Sequence, residues 1–308
     1  MTKHMTKQEL EELEKLADWE ESKKTPPVGG GKGAGQRGKR EEISAGDYRE
    51  SLKHNLEVMS IHGISTIPLT GITKIPISNK HYTNPPGQSQ IKKLIDRGDC
   101  LGLGVSVNEH VCDIDLDSKM ARVMMERLTK AGVVPRTPYT WGVRQSLDRG
   151  PIEISHYLYI SDQPVQSFRC GIQGHEFELR AGTSGRAHSK IAPAKHERAG
   201  DDPLLPKPWL IWVGTEGPLS PPEIPPHTVA NVWREVAAPL GLCLGALANW
   251  SPGNRSTQAG WLAGGLYELG LTQEQAEAAL TAVVEMAGDE EASNRAKWVA
   301  STWSKAER

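Results

Sequence analysis

The sequence is poor in cysteine, with four residues in 308 and no two of them spaced as C-x-x-C. Neither a disulfide framework nor a zinc knuckle fits this spacing, so we expect Cys100, Cys112, Cys170 and Cys243 to be reduced core thiols. Long apolar runs are also missing, since no stretch approaches the ~20 apolar residues of a membrane-spanning helix. The first residues lack the apolar segment of a signal peptide. We therefore expect a cytoplasmic protein with no membrane partner.

An excess of one charge sign is lacking as well: 36 Lys and Arg residues face 38 Asp and Glu residues, which gives a net charge of −2. A polycation is thereby excluded, and contact with nucleic acid has to use local basic patches. One such patch lies in the Pro/Gly-rich stretch 23–40, and we expect residues 1–46 to form a flexible charged tail. The remaining length and a mean hydropathy of −0.48 are typical of a globular protein with a sizeable core.

The stretch 111–117 carries the strongest functional signal, because polar and apolar residues alternate along it. On a β-strand this alternation places Asp113, Asp115 and Asp117 on one face. Neighbouring side chains on that face stand ~7 Å apart, which suits two divalent cations ~3.5–4 Å apart. The alternative is an exposed strand at a sheet edge, where the aspartates are simply solvated. The opposite face of the strand would carry Cys112, Ile114 and Leu116.

Other polar residues lie where they can converge on these aspartates. His156 lies in an apolar-rich strand, and the alternative for it is a buried, hydrogen-bonded core imidazole. Glu178 and Arg180 share one face of a later strand, either as a surface ion pair of little energy or as a metal ligand beside a phosphate clamp. A cation-rich segment further on supplies Lys190 and His196, which can hold a triphosphate.

Hydrophobic spacing and turn residues predict a coarse order of elements. The segments 101–107 and 110–117 flank a tight turn, so we expect them to pair as a β-hairpin. A helix over 119–131 is expected to cover the sheet. The Pro-rich stretch 218–226 favours an extended spacer, and short helices follow it. These signals divide the chain into a tail at 1–46, an α/β domain at 47–217, a Pro-rich linker at 218–228 and a helical domain at 229–308.

Several short motifs follow one another along the chain. They are Pro68-Leu69, Lys74-Ile75-Pro76, Asp113-Ile114-Asp115, His156-Tyr157-Leu158-Tyr159 and Glu178-Leu179-Arg180. Their order resembles the primase-polymerase branch of the archaeo-eukaryotic primase superfamily, over most of residues 47–305. Ile154, Ala192 and Ala194 depart from the family pattern. The segment that begins at Gly253-Asn254-Arg255 looks like the small helical domain that often follows the catalytic domain in that family.

This resemblance implies a fold and a set of site residues. The implied fold is an α/β (α+β) catalytic domain, whose central sheet is similar to an RNA-recognition fold, followed by an all-α helical bundle. Two Mg²⁺ or Mn²⁺ ions would be held by Asp113, Asp115 and Glu178, and Asp117 would stay outside the ligand set. The phosphates of the incoming nucleotide would bind to His156, Arg180, Lys190 and His196.

The resemblance also implies a function, which is template-dependent synthesis and extension of primers by a primase and DNA polymerase. We expect such a protein to act in the replication of a plasmid, phage or mobile element. Its partners would be single-stranded DNA and nucleoside triphosphates, with a replicative helicase as a further candidate. Two alternatives stay open: a non-catalytic module that binds a replication origin or single-stranded DNA, and a glycosyltransferase, since Asp-x-Asp with Mn²⁺ also binds nucleotide sugars.

Overall fold

The computed structural model describes residues 43–70, 75–78, 80, 84–144, 150–182, 188–195 and 208–306. The described part of residues 44–308 belongs to one compact unit. Nearly all of the predicted tail, and the predicted phosphate ligand His196, lie outside the described residues. All four cysteines are buried and unpaired, as the sequence predicts. None of the helices in these ranges is long and apolar enough to cross a membrane.

Among the described residues, one helix precedes all the strands, two lie between strands and four follow them. The side chains of Ser44, Ser118 and Thr272 accept backbone hydrogen bonds and fix three of the helix starts. A π-helical turn, Trp233–Ala237, runs directly into the fourth helix. The helices are α1 (Ala45–Ile61), α2 (Gln88–Arg97), α3 (Lys119–Lys130), α4 (Ala238–Ala248), α5 (Arg255–Glu268), α6 (Gln273–Met286) and α7 (Ala292–Ala306).

The strands are β1 (Thr66–Leu69), β2 (Gly102–Ser106), β3 (Val111–Asp115), β4 (Thr140–Arg144), β5 (Glu153–Ser161), β6 (Phe168–Cys170), β7 (Phe177–Arg180), β8 (His188–Lys190), β9 (Ala194–Lys195), β10 (Trp209–Trp212) and β11 (His227–Val229). A small sheet has the order β1-β2-β8. The large sheet has the order β6-β7-β3-β5-β4-β10-β9, and β11 pairs in parallel with β5. The other named strand pairs are antiparallel, so the chain has the mixed α/β class that the sequence predicts.

The two faces of β3 have different surroundings. Cys112 and Ile114 are buried in a core that the large sheet shares with α3 to α7. Asp113 and Asp115 lie on the opposite face, toward His156 and Ser189. The predicted alternation is therefore confirmed on this strand, and the aspartates lie inside the protein instead of at a solvated edge.

The predicted hairpin between 101–107 and 110–117 is wrong. Strand β2 pairs with β1 and β8, whereas β3 lies between β5 and β7. The turn itself is present, because the Asn108 side-chain oxygen accepts hydrogen bonds from the backbone N–H groups of His110 and Val111, both at 2.8 Å. It carries the chain from one sheet to the other. A turn signal fixes the change of direction, but it does not determine which strands pair.

The helices that follow residue 232 pack on the large sheet. Leu240 of α4 and Phe177 of β7 belong to one hydrophobic cluster. The Pro-rich segment is packed as well, since the Leu219 carbonyl accepts a hydrogen bond from the Asn55 side chain at 2.9 Å. The linker predicted at 218–228 therefore lies inside the compact unit. The helices cover the apolar face of the sheet, and the division of the chain at 218–228 stays a prediction.

Gly142 lies at a shift of register between β4 and β5, next to Trp141. A Cβ atom at this position would lie 2.2 Å from the backbone oxygen of Glu153. We expect Gly142→Ala to lower the free energy of unfolding in urea by about 1–3 kcal/mol, because the backbone has to move to make room. Gly264→Ala is the matched control, since its Cβ meets no described atom within 4 Å and alanine favours helix α5. An equal loss of unfolding free energy in the two variants would contradict the steric role of Gly142.

Candidate active site

One row of side chains crosses five neighbouring strands of the large sheet. Cross-strand pairing places Trp141 opposite His156 and His156 opposite Asp115. It then places Asp115 opposite Glu178 and Glu178 opposite Arg169. Directly opposed residues of antiparallel strands share a face of the sheet. The row therefore brings together three predicted site residues from strands that are distant in sequence.

Asp113 lies on the same face as Asp115 and is fully buried. Its Oδ2 atom lies 3.0 Å from Nδ1 of His156 and accepts a hydrogen bond from the Ser189 hydroxyl. Its Oδ1 atom has no hydrogen-bond partner among the described residues. Burial alone would raise the pKa of Asp113, but His156 and the charge of Arg180 outweigh it and hold the pKa below its usual value. Asp113 is thus held in its ionised form, with one buried oxygen that no described residue hydrogen-bonds.

Arg180 lies among the three predicted metal ligands. Its Nε is 3.0 Å from Glu178, one terminal nitrogen is 3.9 Å from Asp113, and the other pairs closely with Asp115. Burial alone would lower the pKa of Arg180, but the charges of Asp115 and Asp113 raise it above its usual value. Exposure of the carboxylate side chains rises from 0% at Asp113 through 8% at Asp115 to 35% at Glu178. The cluster therefore opens to solvent on the Glu178 side.

His156 is held from three directions. Its two ring nitrogens lie 3.0 Å from Asp113 and 3.6 Å from Asp115. The Trp141 ring stacks on the imidazole, with ring centres 4.9 Å apart and planes 8° from parallel. The Trp141 indole N–H donates to the backbone oxygen of Lys190 at 3.0 Å, which fixes the indole. These contacts give the imidazole one orientation beside the carboxylates.

Asp117 and Lys190, the remaining predicted residues that the structure describes, lie in different surroundings. Asp117 is exposed beyond the end of β3, and desolvation together with the charge of Asp115 raises its pKa. Lys190 is buried on β8, where its Nζ donates to the Lys195 carbonyl at 2.6 Å. It directly follows Ser189, the hydrogen-bond donor to Asp113. The phosphate contacts predicted for Lys190 and His196 stay predictions.

Sequence reasoning missed three members of this cluster: Ser189, Trp141 and Arg169. Ser189 lies in a segment that we interpreted for its cations alone, and its hydroxyl was a usable signal. Trp141 and Arg169 belong to the cluster only because the strand register places Trp141 opposite His156 and Arg169 opposite Glu178. Register between distant strands is set by tertiary packing, so a local pattern does not reveal these neighbours.

Divalent cations such as Mg²⁺ bind carboxylate oxygens. Asp113, Asp115 and Glu178 supply such oxygens on one face, and the unpartnered Oδ1 of Asp113, within the described structure, fits a cation ligand. In the described ranges, no three acidic, His or Cys side chains converge closely enough to hold an ion as they stand. The Arg180 guanidinium contacts all three carboxylates. The donor set therefore fits the implied ions, provided that Arg180 moves.

We expect Arg180→Met to strengthen Mn²⁺ binding to the nucleotide-free protein by about tenfold or more. A guanidinium and a divalent cation at one carboxylate cluster repel each other, and at an effective dielectric constant of ~20 a unit pair ~4 Å apart costs several kcal/mol. Electron paramagnetic resonance of free Mn²⁺ measures the affinity directly, without any catalysis. Arg97→Met is the control, because that arginine pairs with Asp99 and is 65% exposed. Unchanged Mn²⁺ affinity in Arg180→Met would mean that the metal does not enter this cluster.

Comparison of this chain with family models, with curated proteins and with solved structures finds no match. The class of the fold therefore rests on its own strand order and helix positions, as a mixed α/β protein with a large, mainly antiparallel sheet. The chemistry of the row and of Asp113 is the basis of the proposed function.

Proposed function

We propose that this protein is a template-dependent nucleotidyltransferase that makes and extends primers on single-stranded DNA, in the replication of a plasmid, phage or mobile element. One observation carries the proposal: Asp113, Asp115 and Glu178 lie together on one face of the sheet, with one buried oxygen of Asp113 unpartnered in the described structure. Phosphoryl transfer needs positioning and charge stabilisation more than covalent chemistry, and carboxylates beside an arginine and a histidine supply both.

Each residue of the site has a role in the proposed reaction. When bound, two Mg²⁺ or Mn²⁺ ions would activate the 3′-hydroxyl and neutralise the departing pyrophosphate. Asp113, Asp115 and Glu178 would hold the ions. Arg180 exchanges its carboxylate partners for the phosphates of the incoming nucleotide, since a guanidinium binds both groups in the same forked geometry. Trp141 and Asp113 keep the His156 imidazole in place for a further phosphate contact.

We regard the central sheet as an RNA-recognition type of sheet, which carries the catalytic carboxylates on one face. Residues 229–308 act as a helical accessory region that supports initiation of primers. Their packing on the apolar face of the large sheet, opposite the carboxylates, supports a fixed position for this region.

One observation favours a second candidate, a non-catalytic module that binds single-stranded DNA or a replication origin. Arg180 already pairs with all three carboxylates, so the cluster is stable as an internal network of ion pairs. Such networks also occur for structural reasons. A protein of this kind would bind DNA and would show no metal-dependent synthesis.

A primer-synthesis gel separates the two candidates. The protein is incubated with single-stranded DNA, Mg²⁺ or Mn²⁺, and a mixture of ribo- and deoxyribonucleoside triphosphates. We expect short labelled products from the wild type and none from Asp115→Asn, which removes one ligand charge and keeps the shape of the side chain. DNA binding without any product in the wild type would favour the non-catalytic module.

A further inference from the structure

A cavity lies beside β6, on the side of that strand that carries Phe168. Its volume is about 350 Å³, and its walls include Gln166, Phe168, Asn231 and Trp233. This volume is within the range of pockets that hold small organic groups. Strand β6 pairs with β7, the strand of Glu178. Phe168 and Glu178 lie on opposite faces of the sheet, so the cavity and the carboxylates are on the two sides of β6, which ends the strand order of the sheet.

Two of its walls are large aromatic side chains that stay in contact with solvent. Phe168 is 40% exposed and Trp233 is 44% exposed. Both are attached to buried structure: the Phe168 ring lies 5.9 Å from the ring of buried Phe177, and Trp233 belongs to a π-helical turn whose Val236 is buried. Fixed, half-exposed rings are platforms on which flat groups stack. Single π-helical turns are also frequent at functional sites.

Amide side chains complete the cavity. The Asn231 side chain is used locally, since its oxygen accepts a hydrogen bond from the Arg234 backbone at 3.0 Å and its nitrogen donates to Gln163 at 3.3 Å. The Gln166 amide has no hydrogen-bond partner in the part of the chain that the structure describes. An amide offers a donor and an acceptor to the edge of a nucleobase. The cavity thus combines stacking surfaces with a group that can bond to a base edge.

Arg169 adds a positive charge directly next to this cavity. It follows Phe168 on β6 and lies on the other face of the strand, opposite Glu178. It is exposed, and within the described ranges no acidic side chain forms an ion pair with it. An exposed guanidinium of this kind binds phosphate. Aromatic platforms together with a cation that follows the backbone are the two components of sites for single-stranded nucleic acid.

We propose that one unpaired nucleotide of the single-stranded template binds across β6, with its base in the cavity against Phe168 and Trp233 and its phosphate on Arg169. This inference rests on the proposed function, in which the protein copies single-stranded DNA. The base lies on the Phe168 side of β6, whereas Arg169 is directly opposite Glu178 on the neighbouring strand, ~4.8 Å away, so the phosphate keeps the template backbone beside Glu178. The site holds the template by stacking and charge, and it therefore accepts any base.

The test measures binding of a fluorescent single-stranded oligonucleotide of about 12 nucleotides by anisotropy, with EDTA present and in the Asp115→Asn background, so that no synthesis occurs. We expect Trp233→Ala to weaken binding about tenfold, as loss of one stacked base does. Trp261→Ala is the control, because Trp261 is 50% exposed on α5 and does not line the cavity. Trp233→Phe should restore most of the affinity, and thermal unfolding of each variant shows that the fold persists.

Two further measurements locate the base and the phosphate. An abasic residue moved along the oligonucleotide should weaken wild-type binding by about the same tenfold factor at one position, and should weaken Trp233→Ala no further there. Arg169→Ala should make the plot of log binding constant against log salt concentration less steep, by the amount expected for about one phosphate contact. Arg97→Ala should leave this slope unchanged.

The outcomes separate this inference from the proposed function. Equal affinities for Trp233→Ala and Trp261→Ala, or no binding of single-stranded DNA at all, overturn the template site. If primer synthesis is normal while Trp233→Ala binds like the wild type, the nucleotidyltransferase stands and the template site is wrong. If Trp233 and Arg169 control binding while the wild type makes no product, the template site stands and the catalytic proposal is wrong.

Discussion

Asp113→Asn is expected to lower nucleotide incorporation by at least about 100-fold, with both Mg²⁺ and Mn²⁺. The change removes the charge of the deepest carboxylate and the buried oxygen that has no partner among the described residues. It keeps the size of the side chain and an acceptor for Ser189. Arg180 retains Asp115 and Glu178 as partners, so the variant should fold. Primer extension under single-turnover conditions measures the loss, and thermal unfolding checks the fold.

Asp117→Asn is the matched control for this prediction. It makes the same chemical change two residues further along, at an exposed side chain beyond the end of β3. We expect this variant to keep extension rates within a few-fold of the wild type, because Asp117 lies outside the proposed ligand set. Equal losses in the two variants would show that general negative charge matters instead of a particular ligand.

A chain that ends at Gly217 is expected not to fold. The helices that it lacks cover the apolar face of the large sheet, where several buried side chains each contribute about 1.5–3 kcal/mol. Their sum exceeds or equals the ~5–15 kcal/mol by which a typical domain is stable. The chain would also lose β11, which pairs with β5 beside the site. Circular dichroism and a dye that binds exposed apolar surface would show the loss of cooperative unfolding.

If the chain ending at Gly217 unfolds cooperatively and extends a primer, the catalytic part is independent, as the division predicted at 218–228 requires. A second chain that ends at Gly270 retains α4 and α5 and removes the last two helices. We expect it to be less stable than the full chain and more soluble than the shorter one, because α4 then still packs on Phe177 through Gly241.

The residues of the site were predictable to the extent that their signals are local. Alternation along 111–117 placed Asp113 and Asp115 on one face, because side chains of a strand alternate whatever its neighbours are. The spacing of Glu178 and Arg180 placed those two residues together for the same reason. The capping box that begins α6 is local in the same way, since it needs only Thr272 and Gln275.

Features that depend on distant partners were not predictable in this way. The turn at Asn108 was present, yet β2 and β3 entered different sheets, because strand pairing is decided by packing of the whole unit. The same holds for Trp141 on His156 and for Ser189 on Asp113. The hydrogen bonds of the Pro-rich stretch to α1 and to Tyr139 also depend on distant residues, and the division of the chain at 218–228 stays a prediction.

Templated extension of an annealed primer tests the central claim most directly. Four reactions each contain the wild-type protein, a primer with a single-stranded template overhang, Mn²⁺ or Mg²⁺, and one of the four nucleoside triphosphates. The proposed chemistry at Asp113, Asp115 and Glu178 predicts addition of the nucleotide that complements the template, and no addition by Asp113→Asn. No addition of any nucleotide by the wild type, or addition that persists in Asp113→Asn, would contradict it.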